Sequence, residues 1–228
     1  MPVRRTPLVT DNFYHVYNRG VARQPTFFAK REYERMMLTI RYYRMRKPPL
    51  KLSYFLKLPM DDREGWIVRH EQKLEKLVDI VCFVLMPNHF HMIVRQTYDN
   101  GITTFLRHTA NSYTKFINTK HHRPGPLFQG EFKAVRIETN EQLLHVSRYI
   151  HLNPYVSSVV RKEDLRSYPW SSFPAYLGNT ALPYLTLGIV LDQFSSRQPY
   201  DAFVFDHADY AKKLENIKHL VIEKDDVS

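Results

Sequence analysis

The chain reads as an α+β protein in which helices pack on a largely antiparallel sheet, and three observations carry that reading. Short β-branched and aromatic runs alternate with longer stretches of helical periodicity. Two of those runs, Val78–Met86 and His89–Gln96, are separated only by the Pro87-Asn88 turn signal, which gives a hairpin. The 228 residues are 43% hydrophobic with one cysteine, enough to bury a core without disulfides.

Taken in order, Phe13-Tyr14-His15-Val16-Tyr17-Asn18 predicts a strand at 12–18 closed by the Asn18-Arg19-Gly20 turn signal. Tyr33, Met36, Met37, Ile40 and Tyr43 lie near helical spacing within 29–46, and Lys47-Pro48-Pro49 stops that helix. From Leu50 to about Glu75 the pattern is irregular, with Pro59, Asp61, Asp62 and Gly65 reading as an insertion or loosely packed arm. After the hairpin and the Asp99-Asn100-Gly101 turn, Ile102, Phe105, Leu106, Thr109, Tyr113, Phe116 and Ile117 form one stripe of a helix over 102–118. A Pro124-Gly125-Pro126 break precedes Phe132–Ile137, whose apolar and basic residues alternate as in a half-buried strand. Thr139-Asn140-Glu141-Gln142 has capping-box form and opens a helix over 140–152 that Asn153-Pro154 should end. Beyond Tyr155 the texture changes to a smaller appendage ending in a charged helix and tail. The expected division is a catalytic domain at 1–155 and an appendage at 156–228.

Thirty-three Lys and Arg against 23 Asp and Glu give a formal charge of +10, which favours a polyanionic partner, nucleic acid before anionic membrane. No apolar run approaches the ~20 residues needed to cross a bilayer, and no signal-peptide core opens the chain, so a cytoplasmic protein without membrane association is expected. The absence of GxGxxG and GxxxxGKS loops removes the usual routes to dinucleotide and nucleoside-triphosphate binding. The single Cys82, in an apolar run, rules out a cysteine-rich zinc site. The one constellation suited to a metal is His89-Phe90-His91. On a strand its two imidazoles share a face while Phe90 turns to the other. By spacing alone such a pair is more often two surface histidines; the preceding Leu85-Met86-Pro87-Asn88 turn places this one at a strand entrance among packing residues.

Six segments then carry a resemblance: FYHVYNRG at 13–20, LMPNHFHMIV at 85–94, NSYTKFIN at 111–118, GPLFQGEFKA at 125–134, RYIHLNP at 148–154 and YPWSSF at 168–173. Together, over about residues 12–175, they resemble the REP-associated tyrosine transposases, relatives of the IS200-like single-tyrosine HUH transposases. The resemblance implies a ferredoxin-like HUH fold. It also implies cleavage and rejoining of single-stranded, hairpin-forming DNA through a 5′-phosphotyrosine, with Mg²⁺ or Mn²⁺ held by His89 and His91. Tyr113 occupies the expected nucleophile position in NSYTKFIN. Asn118 is either the third metal ligand, which needs a bent helix end, or a helix C-cap. A phenol titrating near ~10 is a poor nucleophile at neutral pH until its proton is removed and the phosphate's charge is quieted. Arg19, Arg23, Lys115, Arg123, Lys133 and Arg136 flank these segments and are the candidate DNA contacts. His151, Asn153 and Trp170 are read as packing residues. Two other readings stay open: a catalytically inactive nucleic-acid binder of the same fold, and a water-using metal-dependent phosphodiesterase or RNase. Monomer and homodimer are both compatible with the sequence.

Overall fold

The computed structural model describes residues 7–212, so the end of the expected charged tail, 213–228, lies outside the described residues. Strands β1 (Phe13–Arg19), β2 (Val78–Met86), β3 (His89–Gln96) and β4 (Lys133–Ile137) form one sheet in the order β2-β3-β1-β4. β1 runs antiparallel to both neighbours, with His15 opposite Ile93 and Val135, and Tyr17 opposite His91 and Lys133. Because side chains alternate along a strand, this register sorts the sheet into two faces. Tyr14, Val16, Asn18, Phe90 and Met92 share one, whereas His15, Tyr17, Arg19, His89 and His91 share the other.

Packing divides the described chain into one unit of residues 7–80 and 87–137 and another of 81–86 and 138–212. In the first, α1 (Lys30–Tyr43) packs against α4 (Gly101–Lys120). The α4 stripe that buries Phe105, Tyr113 and Ile117 is the one its periodicity predicts. The stretch expected to be irregular instead holds α2 (Leu52–Phe55) and α3 (Met60–Lys73). The apparent turn signals are helix-start signals: Pro59 is the N-cap and Asp61 and Asp62 occupy the first turn, where carboxylates favour the positive end of the helix dipole. Gly65 is no breaker because it sits on an open helix surface. Leu52, Phe55 and Ile67 form a core with Tyr42 and Met45 of the α1 end, and Glu71 bridges Arg41 and Arg44 at 2.8 and 2.9 Å.

The corner between β2 and β3 is stitched to the chain after β1. The carbonyl of Pro87 accepts from the amides of Thr26 and Phe27, at 2.8 and 3.1 Å, and the carbonyl of Asn88 accepts from Gly20 at 2.7 Å. Gly20 is required there, since a Cβ would stand 2.2 Å from the carbonyl oxygen of Gln24.

In the second unit, α5 (Asn140–Val156) runs through Pro154 and ends four residues later than expected. It starts as the capping motif predicts, with Thr139 Oγ1 accepting from the Gln142 amide at 3.1 Å. The YPWSSF segment pairs with strand residues 81–86: Leu85 donates to the Trp170 carbonyl at 2.8 Å and Ser172 donates to that of Phe83 at 2.9 Å. Trp170 is half-buried rather than a core aromatic. The unit is completed by α6 (Phe173–Leu177), α7 (Gly188–Leu191) and α8 (Arg197–Phe205). Buried His151 takes the packing role expected of it, between Tyr200 Oη at 2.7 Å and Ser172 Oγ at 2.8 Å.

Candidate metal and nucleic-acid site

The hairpin turn delivers His89 and His91 to one sheet face, as strand alternation requires, with ring centroids 5.0 Å apart. Each Nδ1 is engaged. His89 Nδ1 lies 2.6 Å from Asn88 Oδ1, and the Asn88 amide is oriented by donating its own N–H to the Arg23 carbonyl at 3.0 Å. An amide oxygen only accepts, so this contact is donated by an Nδ1–H of His89. His91 Nδ1 lies 2.9 Å from Nε2 of His15 on the neighbouring strand. For His91 to ligate through Nε2, its Nδ1–H must donate and His15 must accept. His15 is therefore a positioning residue for His91.

Burial keeps His15 and His91 neutral. It pushes His15 down to about 4. His91, 7% exposed, is held well below the usual imidazole range, first by burial and then by the neighbouring His89, His15 and Arg19. Neutral imidazoles are the ligating form. Tyr17 lies beside them, its ring centroid 5.5 Å from that of His91.

Tyr113 departs from expectation. It is fully buried on α4, ringed by Phe27, Phe116 and Phe128. Phe128 also packs edge-on against Phe90, which belongs to the sheet face opposite the histidines. The phenol donates to the Thr26 carbonyl at 2.8 Å, and its pKa is driven up by burial first and then by Glu32 and Tyr33. The structure thus joins His89 with His91 and leaves Tyr113 on the far side of the sheet, its hydroxyl spent and its proton harder to remove. Helix periodicity places a tyrosine on the buried stripe; it does not say which sheet face that stripe covers.

Asn118 is likewise engaged elsewhere. Its Nδ2 donates to the Gly125 carbonyl at 2.7 Å and its Oδ1 accepts from Arg123 Nη1 at 2.8 Å. Both ends of the amide hold the loop after α4, and the helix C-cap is His121, so neither expected role describes Asn118. Among the described residues no group of three or more His, Cys, Asp or Glu converges as a metal cluster. Two imidazoles on one sheet face fit part of a divalent-cation shell, with oxygen from water or phosphate required for the rest.

The six basic candidates divide between surfaces. Arg19 and Lys133 stand on the histidine face, opposite His89 and Tyr17 respectively, both exposed. Arg23 is exposed next to the corner, its carbonyl oxygen held by Asn88. Arg136 turns to the other face and donates to Asn12 at 3.1 Å. Arg123 is tied to Asn118, and Lys115 is exposed on α4.

Sequence reasoning missed His15 and Asn88. His15 shares strand periodicity with Tyr17, but only the β1–β3 register reveals its meeting with His91.

No helix among the described residues is long and apolar enough to cross a membrane. No curated protein matches the chain. The family model described as IS200-like transposase matches residues 61–153. A solved REP-associated tyrosine transposase bound to a REP hairpin is similar at 17% identity and a TM-score of 0.54, the match covering 86% of this chain and 96% of that one. Both comparisons agree with the resemblance carried by the six motifs: the IS200-like transposase model matches residues 61–153, and the chain shares the fold of a solved REP-associated tyrosine transposase.

Proposed function

We propose that this transposase-family chain cleaves and rejoins single-stranded, hairpin-bearing DNA by tyrosine transesterification assisted by Mg²⁺ or Mn²⁺. The observation that carries the proposal is the pair of imidazoles brought to one sheet face by strand alternation, each held through its Nδ1 by a neighbouring side chain. The formal charge of +10 and the hairpin bound by the similar structure support the substrate class. His89 and His91 would hold the cation, which supplies Lewis-acid polarisation of the scissile phosphate. Arg19 and Lys133, on the same face, are placed to pair with neighbouring phosphates.

The nucleophile is assigned by accessibility. The family-matched stretch 61–153 contains three tyrosines, Tyr98, Tyr113 and Tyr149. Tyr113 is buried, and Tyr98 is 37% exposed with the Arg46 guanidinium lying over its ring. Tyr149, in the RYIHLNP segment on α5, is 48% exposed. Its phenolate would form the new bond to phosphorus while the 3′ oxygen of the preceding nucleotide leaves and takes up a proton, conserving the phosphoester for rejoining. Catalytic function on this reading extends to 155, as the sequence motifs imply.

Covalent capture tests the assignment. With labelled hairpin DNA and Mn²⁺, a denaturation-resistant protein–DNA adduct is expected from wild type and from Tyr113→Phe, and none from Tyr149→Phe or His91→Ala. An adduct that survives Tyr149→Phe and disappears with Tyr113→Phe restores the original assignment. Cleavage without any adduct identifies a water-using phosphodiesterase, and tight binding without cleavage an inactive binder.

A further inference from the structure

A groove of about 1210 Å³ lies between α1 and α4, and none of its lining residues is among the histidine-face residues His15, Tyr17, Arg19, His89 and His91. Its lining combines cations with aromatic rings. Arg31, Arg35, Lys47 and Lys115 line it without a carboxylate partner among the described residues, and Asp99 is its only acidic lining residue. Between these cations stand aromatic rings: Tyr43 stacks on His108 at 5.4 Å and 18°, and the Arg35 guanidinium lies 5.2 Å from the centroid of Phe116. The Arg35 Nε is buried without a hydrogen-bond partner, and burial lowers the guanidinium's affinity for its proton. A cation held in that state gains most from an anion brought to it.

We propose that this groove is a second nucleic-acid site that holds an unpaired stretch of DNA, separate from the histidine face. Charge complementarity selects a polyanion, and the rings select among polyanions. A duplex hides its base faces in its own stack and offers phosphates alone, whereas an unpaired strand offers phosphates to Arg31, Lys47 and Lys115 and base faces to Tyr43 and His108. The volume exceeds that of a typical small-ligand pocket, which suits several linked nucleotides. Burial and the adjacent Arg107 keep His108 inclined to neutrality, so it serves as a stacking plane rather than another charge. The inference rests on the single-strand DNA reading above, but it needs neither the metal nor the nucleophile.

The test is therefore run in EDTA on the full chain. A short fluorescein-labelled oligothymidylate is titrated by anisotropy at several salt concentrations, with a duplex of equal length in parallel. Arg31→Glu with Lys115→Glu should weaken oligothymidylate binding at least about ten-fold and flatten its salt dependence, and Tyr43→Ala should weaken it on the order of ten-fold. Lys73→Ala, on α3 outside the groove, should leave it unchanged. Ultraviolet cross-linking of an iodouridine-bearing strand to unaltered protein should label peptides from 30–47 and 101–120, an outcome independent of how the variants fold. Unchanged affinity in the charge-reversed variant, equal loss for the duplex, or cross-links confined to β1 and β3 overturns the proposal. Loss of adduct formation with groove binding intact would fault the catalytic reading instead.

Discussion

At the scale of single residues, burial decides the chemistry. Tyr113 and Tyr149 are the same side chain, but one has its hydroxyl fixed on Thr26 and its proton affinity raised, while the other is half exposed. Tyr113→Phe should therefore be a stability variant: about 1–2 kcal/mol lost in urea unfolding, for a hydrogen bond removed and a buried carbonyl left unpaired, with the adduct retained. His15 shows the converse, a residue with no direct ligand role that sets one. His15→Phe removes the acceptor that fixes His91, and Mn²⁺ affinity measured by calorimetry should fall by about 10–100-fold, as expected when the outer partner of a ligating histidine is lost. The His89-Phe90-His91 alternation was legible from sequence because a strand's period is local. The His15 contact and the distance of Tyr113 from the pair were not, because both depend on register and on which face a helix covers.

Among elements, the helices that frame the groove are held by buried charge. Glu32, fully buried at the start of α1, accepts from Lys120 at 2.7 Å and from His121 at 2.6 Å, both at the end of α4, as well as from the amides of Phe28 and Ala29. Burial alone would raise its pKa, but these four donors together lower it. Its contribution is thus complete above the ordinary carboxylate pKa and is lost as pH falls through the lower folded value. Glu71 fixes α3 against α1 by holding Arg41 and Arg44. Glu71→Gln should cost about 3 kcal/mol, the low end for breaking a buried ion pair, and hydrogen exchange should quicken across 52–74 before other segments. The strands and the three long helices outside 50–75 could be read from periodicity and capping. α2 and α3 could not, because Pro59-Met60-Asp61-Asp62 is as good a turn as a helix start until something apolar lies beneath Ile67.

For the whole molecule, the sheet class was legible from element order, while the boundary between packing units was not. The chain leaves β4 directly into α5, and only three-dimensional contacts assign that helix to the unit containing 81–86. That unit buries His151, whose pKa burial pushes from 6.5 down to about 3. The unfolded chain takes up this proton first. Stability is therefore full above about pH 6.5 and falls by about 1.4 kcal/mol per pH unit below it, until the folded pKa is reached. Urea midpoints measured between pH 4 and pH 7 should show this slope, and His151→Asn should reduce it even if the variant begins less stable.

The stitched corner at Pro87 and Asn88 has a kinetic consequence. Three amides, from Gly20, Thr26 and Phe27, share two adjoining carbonyls, so none can be released to solvent without loosening the others. Their deuterium uptake should follow one common opening rate, and Gly20→Ala should accelerate all three in concert. The platform beneath His89 then behaves as a welded joint: under the proposed function, an arriving phosphate would meet imidazoles already in place and need not wait for a loop to fold around it.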